Sequence, residues 1–283
     1  MIYEKHIALI CNPTAEADKA FKLTDRIAVS LQNRQIKHSI FTVYWPQVWD
    51  GITDVWIIGG DGTLNYFINQ YPDIKLPLSI FKGGSGNDFH WMLYGDIQME
   101  KQIERLLHST TQLIDAGICN GQLFLNGVGI GFDGAIVKDL LGKKKIAGKA
   151  SYLVSILKNI VGYTEKGYTI STDNEKIKQE CFMISVANAK RYGGGFQVAP
   201  KAVVNDELLD VNIVGKIAPF KRITLLPVIE KGEHLGLTVI RYFQTEKVLI
   251  EAATIVPAHL DGEFLSTDKF EINCLPKKFL FSV

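Results

Sequence analysis

Three short polar stretches hold most of the chemistry this sequence could perform. Ile57-Ile58-Gly59-Gly60-Asp61-Gly62-Thr63-Leu64-Asn65 closes an apolar run and opens a helical one. Glycines at a strand-to-helix turn let main-chain N–H groups approach an anion, and the following helix adds its unsatisfied donors and the Thr63 hydroxyl. Such a turn suits phosphate. A carboxylate beside phosphate repels it unless a cation lies between them, so Asp61 points to Mg²⁺ held directly or through water. An Asp-Gly turn with no ligand is the other reading. In His259-Leu260-Asp261-Gly262-Glu263, alternation about the glycine would let Asp261 and Glu263 point the same way. Like charges held close raise one pKa, which suits a general base; a solvated turn is the alternative. Asp206-Glu207-Leu208-Leu209-Asp210 would hold a divalent cation or form an exposed acidic turn.

Other motifs fall away on spacing. Gly129-Ile130-Gly131-Phe132-Asp133-Gly134 has the form of a dinucleotide fingerprint, yet no acidic residue lies between Asp139 and Glu165 to bind a ribose. A close-packed turn is the expectation there. The chain has no Gly-x-x-x-x-Gly-Lys-Ser/Thr loop and no His-Glu-x-x-His. Ser85 sits among glycines, but Asn87 breaks the nucleophile-elbow pattern. His90, His108, His234 and His259 are isolated, as surface or core histidines usually are.

The elements that must position these groups follow from periodicity. His6 to Cys11 reads as a strand ending at Asn12-Pro13, Ala15 to Leu31 as a helix, and Ile36 to Val43 and Val55 to Ile58 as further strands. Pro77 to Phe81 is a fourth strand, running into Lys82-Gly83-Gly84-Ser85-Gly86-Asn87-Asp88-Phe89. Alternating strands and helices predict a doubly wound parallel sheet, with Asn12-Pro13, Gly60-Asp61-Gly62 and Gly84-Ser85-Gly86 gathered at the carboxyl ends of its strands. After a helix near Ile97 to His108 the texture becomes β-rich, interrupted by helical stretches at Gly134 to Ile160 and Ala218 to His234. The reading is two domains: an α/β domain over 1–117, then a β-sandwich over 118–283 whose last strand returns to the first.

Composition narrows the partners. With 31 basic and 30 acidic residues in 283, the net charge of +1 gives no field of the kind nucleic acid requires. Cys11, Cys119, Cys181 and Cys274 stand singly in apolar surroundings, as buried thiols of a reducing compartment do. No leader and no long apolar segment is apparent, so a cytoplasmic protein is expected. Lys143-Lys144-Lys145 suits a solvated helix face or an anionic membrane.

Taken in order, these turns resemble the diacylglycerol kinase catalytic-domain family in its bacterial lipid-kinase branch. The resemblance runs through Asn12-Pro13, Gly59 to Asn65, Gly84 to Phe89, Asp115, Asn126, Gly131-Phe132-Asp133, Gly193-Gly194-Gly195, Pro200, Asp206 to Val211 and Asp261-Gly262-Glu263. It implies a first domain that binds ATP with Mg²⁺, a β-sandwich, and a lipid alcohol receiving the γ-phosphoryl group between them. Asn12, Pro13, Gly60, Asp61, Gly62, Thr63, Leu64, Asn65, Ser85 and Asn87 then fall at the nucleotide. Asp61, Asp88 and Asp115 fall on a carboxylate network that holds catalytic Mg²⁺ partly through water. Val203, Asp206 and Leu208 fall on a structural cation site, and Glu263, with Asp261, on the base. The resemblance also implies transient contact with a membrane surface and is compatible with a homodimer. Two other readings stand beside it: an NAD kinase, which shares Gly-Gly-Asp-Gly-Thr, and a nucleotide-binding regulator without turnover.

Overall fold

The computed structural model describes residues 5–12, 17–142 and 149–283, so Pro13 and the Lys143–Lys145 run lie outside the described residues. The chain forms two compact units, one of residues 1–114 with 277–283, the other of residues 115–276.

The first unit contains β1 (His6–Cys11), α1 (Ala17–Asn33), β2 (Lys37–Phe41), β3 (Asp54–Gly59), α2 (Asp61–Gln70), β4 (Leu78–Lys82), α3 (Asp88–Tyr94) and α4 (Met99–Leu107). Strands β1 and β3 are nearly unbroken apolar runs and are buried almost throughout, the pattern of parallel strands covered on both faces. They pair in the order β2-β1-β3-β4, all parallel. Cys11 lies opposite Ile58, and Gly59 opposite Lys82, so three strands end along one edge. The residues that follow them, Asn12, Gly60 and Gly83, therefore start from the same edge. Helix α2 buries Thr63, Leu64, Phe67 and Ile68, a stripe at helical spacing. Helix α3 had no clear periodic signal in the sequence, because it is only two turns long.

The second unit is built mostly from β5 (Thr111–Cys119), β6 (Gln122–Phe124), β7 (Gly127–Gly131), α5 (Phe132–Leu140), α6 (Lys149–Asn159), β8 (Lys166–Ser171), β9 (Lys176–Cys181), β10 (Met183–Ala187), β11 (Leu209–Val214), α7 (Pro219–Glu230), β12 (Ile240–Thr245), β13 (Lys247–Leu260) and β14 (Glu263–Ser282). Strands β7, β10, β11 and β12 pair successively and antiparallel, and β13 pairs antiparallel with β7, β8 and β14. Their inward residues, among them Phe124, Val128, Ile184, Val211, Ile250 and Phe270, share one core. Two tight hairpins carry two-residue turns in the left-handed region: Asn120-Gly121, at φ 48° and 87°, and Asp261-Gly262, at φ 46° and 89°. This is the preference of Asn-Gly and Asp-Gly turns between twisted strands.

The structure corrects one sequence expectation here. Gly129-Ile130-Gly131 is strand β7 rather than a turn; the chain turns only at Gly131, φ +86°, from which α5 departs. Strands β9 and β10 are parted at Phe182. The chain leaves the first unit between Ile114 and Asp115, inside β5, and re-enters it at Lys277 inside β14. There Phe281 pairs with Leu78 in parallel, and the Tyr94 hydroxyl donates to the Ser282 carbonyl at 2.8 Å. Among the described residues no helix is long and apolar enough to cross a membrane. All four cysteines are free.

Candidate functional site

In the first unit the two glycine turns meet backbone to backbone. A Cβ on Gly60 would lie 2.5 Å from the Gly86 carbonyl oxygen, and one on Gly84 would lie 2.5 Å from the Gly60 Cα. Only glycine fits at either place. Asp61 fastens the pair together: its N–H donates to the Gly86 carbonyl at 3.1 Å, while its carboxylate accepts from the N–H groups of Asp88 at 2.9 Å and Phe89 at 3.0 Å. The carboxylate thus satisfies the first donors of α3 and interacts favourably with that helix's dipole. Asp88 is buried beside it.

The predicted nucleotide positions divide by what is left accessible. Gly62 is exposed at the start of α2, and Asn12, Asn65 and Ser85 are half-buried. Thr63 and Leu64 are buried, Thr63 lying under Gly59 and Leu64 in the core, with the Leu64 N–H donating to the Gly60 carbonyl at 3.1 Å. Asn87 braces its own loop: its Oδ1 accepts from the Gly84 N–H at 3.2 Å and its Nδ2 donates to the Gly84 carbonyl at 2.7 Å. In this structure Thr63, Leu64 and Asn87 therefore shape the turns from behind.

In the second unit Asp115 is fully buried, its N–H donating to the Val204 carbonyl at 2.8 Å and its Oδ2 accepting from the Glu207 N–H at 2.7 Å. Its carboxylate thereby holds the loop that carries Asp206. Asp206 accepts from the Leu208 N–H at 3.2 Å and from Gln244 Nε2 at 3.1 Å, and Val203 is exposed. No group of three or more His, Cys, Asp or Glu among the described residues could hold a metal ion. The oxygen donors nonetheless suit Mg²⁺, which keeps several waters and binds through one or two carboxylates plus substrate phosphates. Asp61 and Asp88 supply such carboxylates in one unit. In the other, Asp115 is accompanied by two buried acceptors without a donor, Asn126 Oδ1 and Asn188 Oδ1.

The Asp261-Gly262-Glu263 turn does not present two parallel carboxylates. The left-handed backbone at Asp261 directs its side chain inward, where Oδ2 accepts from the Leu125 N–H at 2.8 Å and Oδ1 from those of Asn126 and Gly127, each at 2.9 Å. Its own N–H donates to the Gly127 carbonyl at 3.0 Å. Asp261 is thus a fixed anion that clamps the 125–127 backbone, while Glu263 is exposed. Glu263 is therefore the carboxylate of this turn that faces outward.

A buried cluster that spacing did not disclose lies behind the turn. Asp133 accepts from the Tyr152 hydroxyl at 3.0 Å and the Tyr192 hydroxyl at 2.7 Å, and His259 Nε2 stands 4.0 Å from Asp133 Oδ2. The Gly262 N–H donates to His259 Nδ1 at 3.3 Å, which leaves the ring proton on Nε2. Burial lowers the His259 pKa against the pull of Asp133, and burial, then Asp133, raises that of Tyr192. Gly129 makes the room, since a Cβ there would lie 2.4 Å from His259 Nε2 and 2.8 Å from Asp133 Oδ2. Of the fingerprint-like glycines, Gly129 is thus a packing device for this cluster, while Gly134 makes room for the Ala258 backbone. Asp133, Tyr152 and Tyr192 also line a cavity whose other walls are mostly apolar, Phe132, Phe182, Ile156 and Leu225 among them, with Arg222 and His234 as its further polar residues.

Comparison with known proteins places both halves. Residues 6–119 match the "Diacylglycerol kinase catalytic domain", and residues 126–281 the "YegS C-terminal NAD kinase beta sandwich-like domain". The "Probable lipid kinase YegS-like" of Shewanella frigidimarina is 28% identical over 238 residues, 82% of this chain and 77% of that protein. The "Putative lipid kinase YtlR" of Bacillus subtilis is 25% identical over 304 residues, 96% of this chain and 97% of that one. A structure described as a putative diacylglycerol kinase from Bacillus anthracis superposes with a TM-score of 0.79 at 22% identity, covering 100% of this chain and 98% of that one, which shows a shared fold. With its β-sandwich match alone spanning more than half of its length, and the catalytic-domain match preceding it, the chain belongs to the YegS-like branch of the diacylglycerol kinase catalytic-domain family.

Proposed function

We propose that this protein is an ATP- and Mg²⁺-dependent lipid kinase, transferring the γ-phosphoryl group to the hydroxyl of a diacylglycerol-like or related lipid alcohol. The observation that carries the reading is the apposition of the Gly60 and Gly84 turns with Asp61 bonded into both. Phosphoryl transfer asks mainly for positioning and charge neutralisation, and a glycine corner fixed by these hydrogen bonds supports the first. Magnesium, when bound with the nucleotide, would neutralise charge on the phosphates; Asp61 and Asp88 are the residues that would hold it through water.

On the acceptor side Glu263 takes the proton of the lipid hydroxyl. The hydroxyl oxygen forms its bond to the γ-phosphorus as the bond from that phosphorus to the β,γ-bridging oxygen breaks, and ADP leaves with the electron pair. Asp261 keeps Glu263 in place by fixing the hairpin to residues 125–127. The cavity in the second unit supports a lipid rather than a dinucleotide acceptor, since apart from Asp133, Tyr152, Tyr192, Arg222 and His234 its lining is apolar, and the Arg222 guanidinium is bonded to Glu165 and to backbone carbonyls.

The test is ATP turnover with detergent-dispersed diacylglycerols, monoacylglycerols and long-chain amino alcohols, with NAD as the competing acceptor. Lipid-dependent ADP release with a phosphorylated lipid as product is expected. Turnover with NAD alone, or with no acceptor of either kind, would overturn the proposal.

A further inference from the structure

The polar groups on the wall of the second unit's cavity are of unequal availability. The Arg222 guanidinium lies 2.7 Å from Glu165, donates to the carbonyls of Ile217, Ile160 and Tyr163 at 3.0, 2.8 and 2.7 Å, and stacks over the Phe182 ring at 4.6 Å. Its charge is matched by Glu165. The hydroxyls of Tyr152 and Tyr192 both donate to Asp133. The donors on this wall are therefore engaged.

Acceptors remain. Asp133 receives two tyrosine hydroxyls, fewer bonds than a carboxylate can accept. Among the described side chains its one ion-pair neighbour is His259, which is neutral because Nδ1 accepts from the Gly262 N–H and the single ring proton stays on Nε2. His234, 3% exposed, supplies the second acceptor. Its Nε2 lies 3.2 Å from the Val198 carbonyl, which can only accept, so the proton is on Nε2 and Nδ1 is a buried acceptor with no partner in the protein. Burial lowers the His234 pKa against the pull of that carbonyl, which keeps the ring in this form at neutral pH. A buried acceptor left unbonded is unfavourable, and a ligand that brings a donor relieves it.

We propose that this cavity selects a lipid whose polar group carries hydrogen-bond donors, received by His234 Nδ1 and Asp133, and turns away lipids that carry a carboxylate or a phosphate. An anionic group on this wall meets a buried carboxylate and a bare nitrogen, with no free donor among the described lining residues to receive it. A lipid alcohol is thus admitted and its phosphate ester is not retained. That use rests on the lipid-kinase reading; the selectivity itself does not, and is measured without ATP.

The test is calorimetric titration of the full chain with monolauroylglycerol, its phosphate ester and lauric acid, each below its micelle concentration, for the parental protein, His234→Phe, His234→Asn and Asp133→Asn. The parental protein is expected to bind monolauroylglycerol at least about tenfold more tightly than either anion. His234→Phe, which keeps a ring but not the acceptor, should weaken monolauroylglycerol by about tenfold, and His234→Asn, with an oxygen at the δ position, should restore most of the loss. Asp133→Asn should narrow the gap between the alcohol and the two anions. Equal affinity of the parent for the three lipids, binding of none of them, or equal monolauroylglycerol affinity in the parent and His234→Phe would overturn the proposal, the last by showing that Nδ1 meets only water. The expected selectivity, with no lipid phosphorylated by the parent, would uphold the proposal and refute the kinase reading alone; phosphorylation of monolauroylglycerol without that selectivity would do the reverse.

Discussion

Asp61 and Asp261 each spend both carboxylate oxygens on backbone amides, so their loss should cost stability as well as activity. In Asp61→Asn an amide NH₂ would face one of the N–H groups of Asp88 and Phe89, leaving a donor without an acceptor at a cost of about 1–3 kcal/mol. In Asp261→Asn the same mismatch falls among three buried amides, at a cost toward the upper end of that range or about 1 kcal/mol beyond it. The two variants should differ in kind when melting is measured beside ATP binding. Asp61→Asn should lower both the melting temperature and ATP affinity in Mg²⁺, whereas Asp261→Asn should lower the melting temperature and leave ATP affinity intact. Equal melting of Asp261→Asn and the parent would show that the clamp on residues 125–127 is not the role of Asp261.

Among elements, the helical layer of the second unit depends on one buried ion pair. Arg222 Nη2 lies 2.7 Å from Glu165 Oε1, the side chains being 3% and 9% exposed, and the same guanidinium donates to the carbonyls of Ile217, Ile160 and Tyr163. Burial alone would raise the Glu165 pKa, but hydrogen bonds from its own N–H and that of Ile217, with the Arg222 charge, hold it below the usual 4.5. A carboxyl depressed on folding contributes stability in full above its unfolded value and loses it as pH falls through the lower folded value. The parental melting temperature should therefore fall on acidification below about pH 4.5, where Glu165 begins to protonate. Arg222→Met should cost about 3–5 kcal/mol at neutral pH and flatten that dependence, because it leaves a buried carboxylate unpaired and better off protonated. Parallel melting-against-pH curves for the two proteins would contradict this account. Elements were legible in the sequence where local pattern decides them. The apolar run of β3, the glycine turn after it and the stripe of α2 could be read within a dozen residues, as could the Asp261-Gly262 hairpin. The partners of its acid could not. Asp261 bonds amides some 135 positions away in sequence, and Asp133 a tyrosine 59 positions away, and no periodicity reports such pairings. Spacing therefore had Asp261 and Glu263 point the same way, where the contacts of Asp261 turn it inward, and it took for part of a turn the glycine, Gly129, that gives His259 and Asp133 their room.

For the whole molecule, the two-unit division was written in the change from alternating strands and helices to closely spaced strands, and a return of the last strand to the first unit was the natural end of such a chain. The crossing point inside β5 was not, because one continuous strand carries residues of both units and its apolar pattern does not change at Ile114. The proposed transfer rests on a glycine corner whose acid, Asp61, is bonded to backbone amides and on a hairpin whose second acid, Glu263, is exposed. Single-turnover transfer from ATP to a dispersed lipid alcohol, for the parental protein and for Glu263→Gln with ATP affinity measured alongside, tests that claim most directly. The account predicts ATP affinity within about threefold of the parent and transfer slower by roughly 10²–10⁴-fold, the usual worth of a general base. Transfer at the parental rate would contradict it and leave the turn with a structural role only.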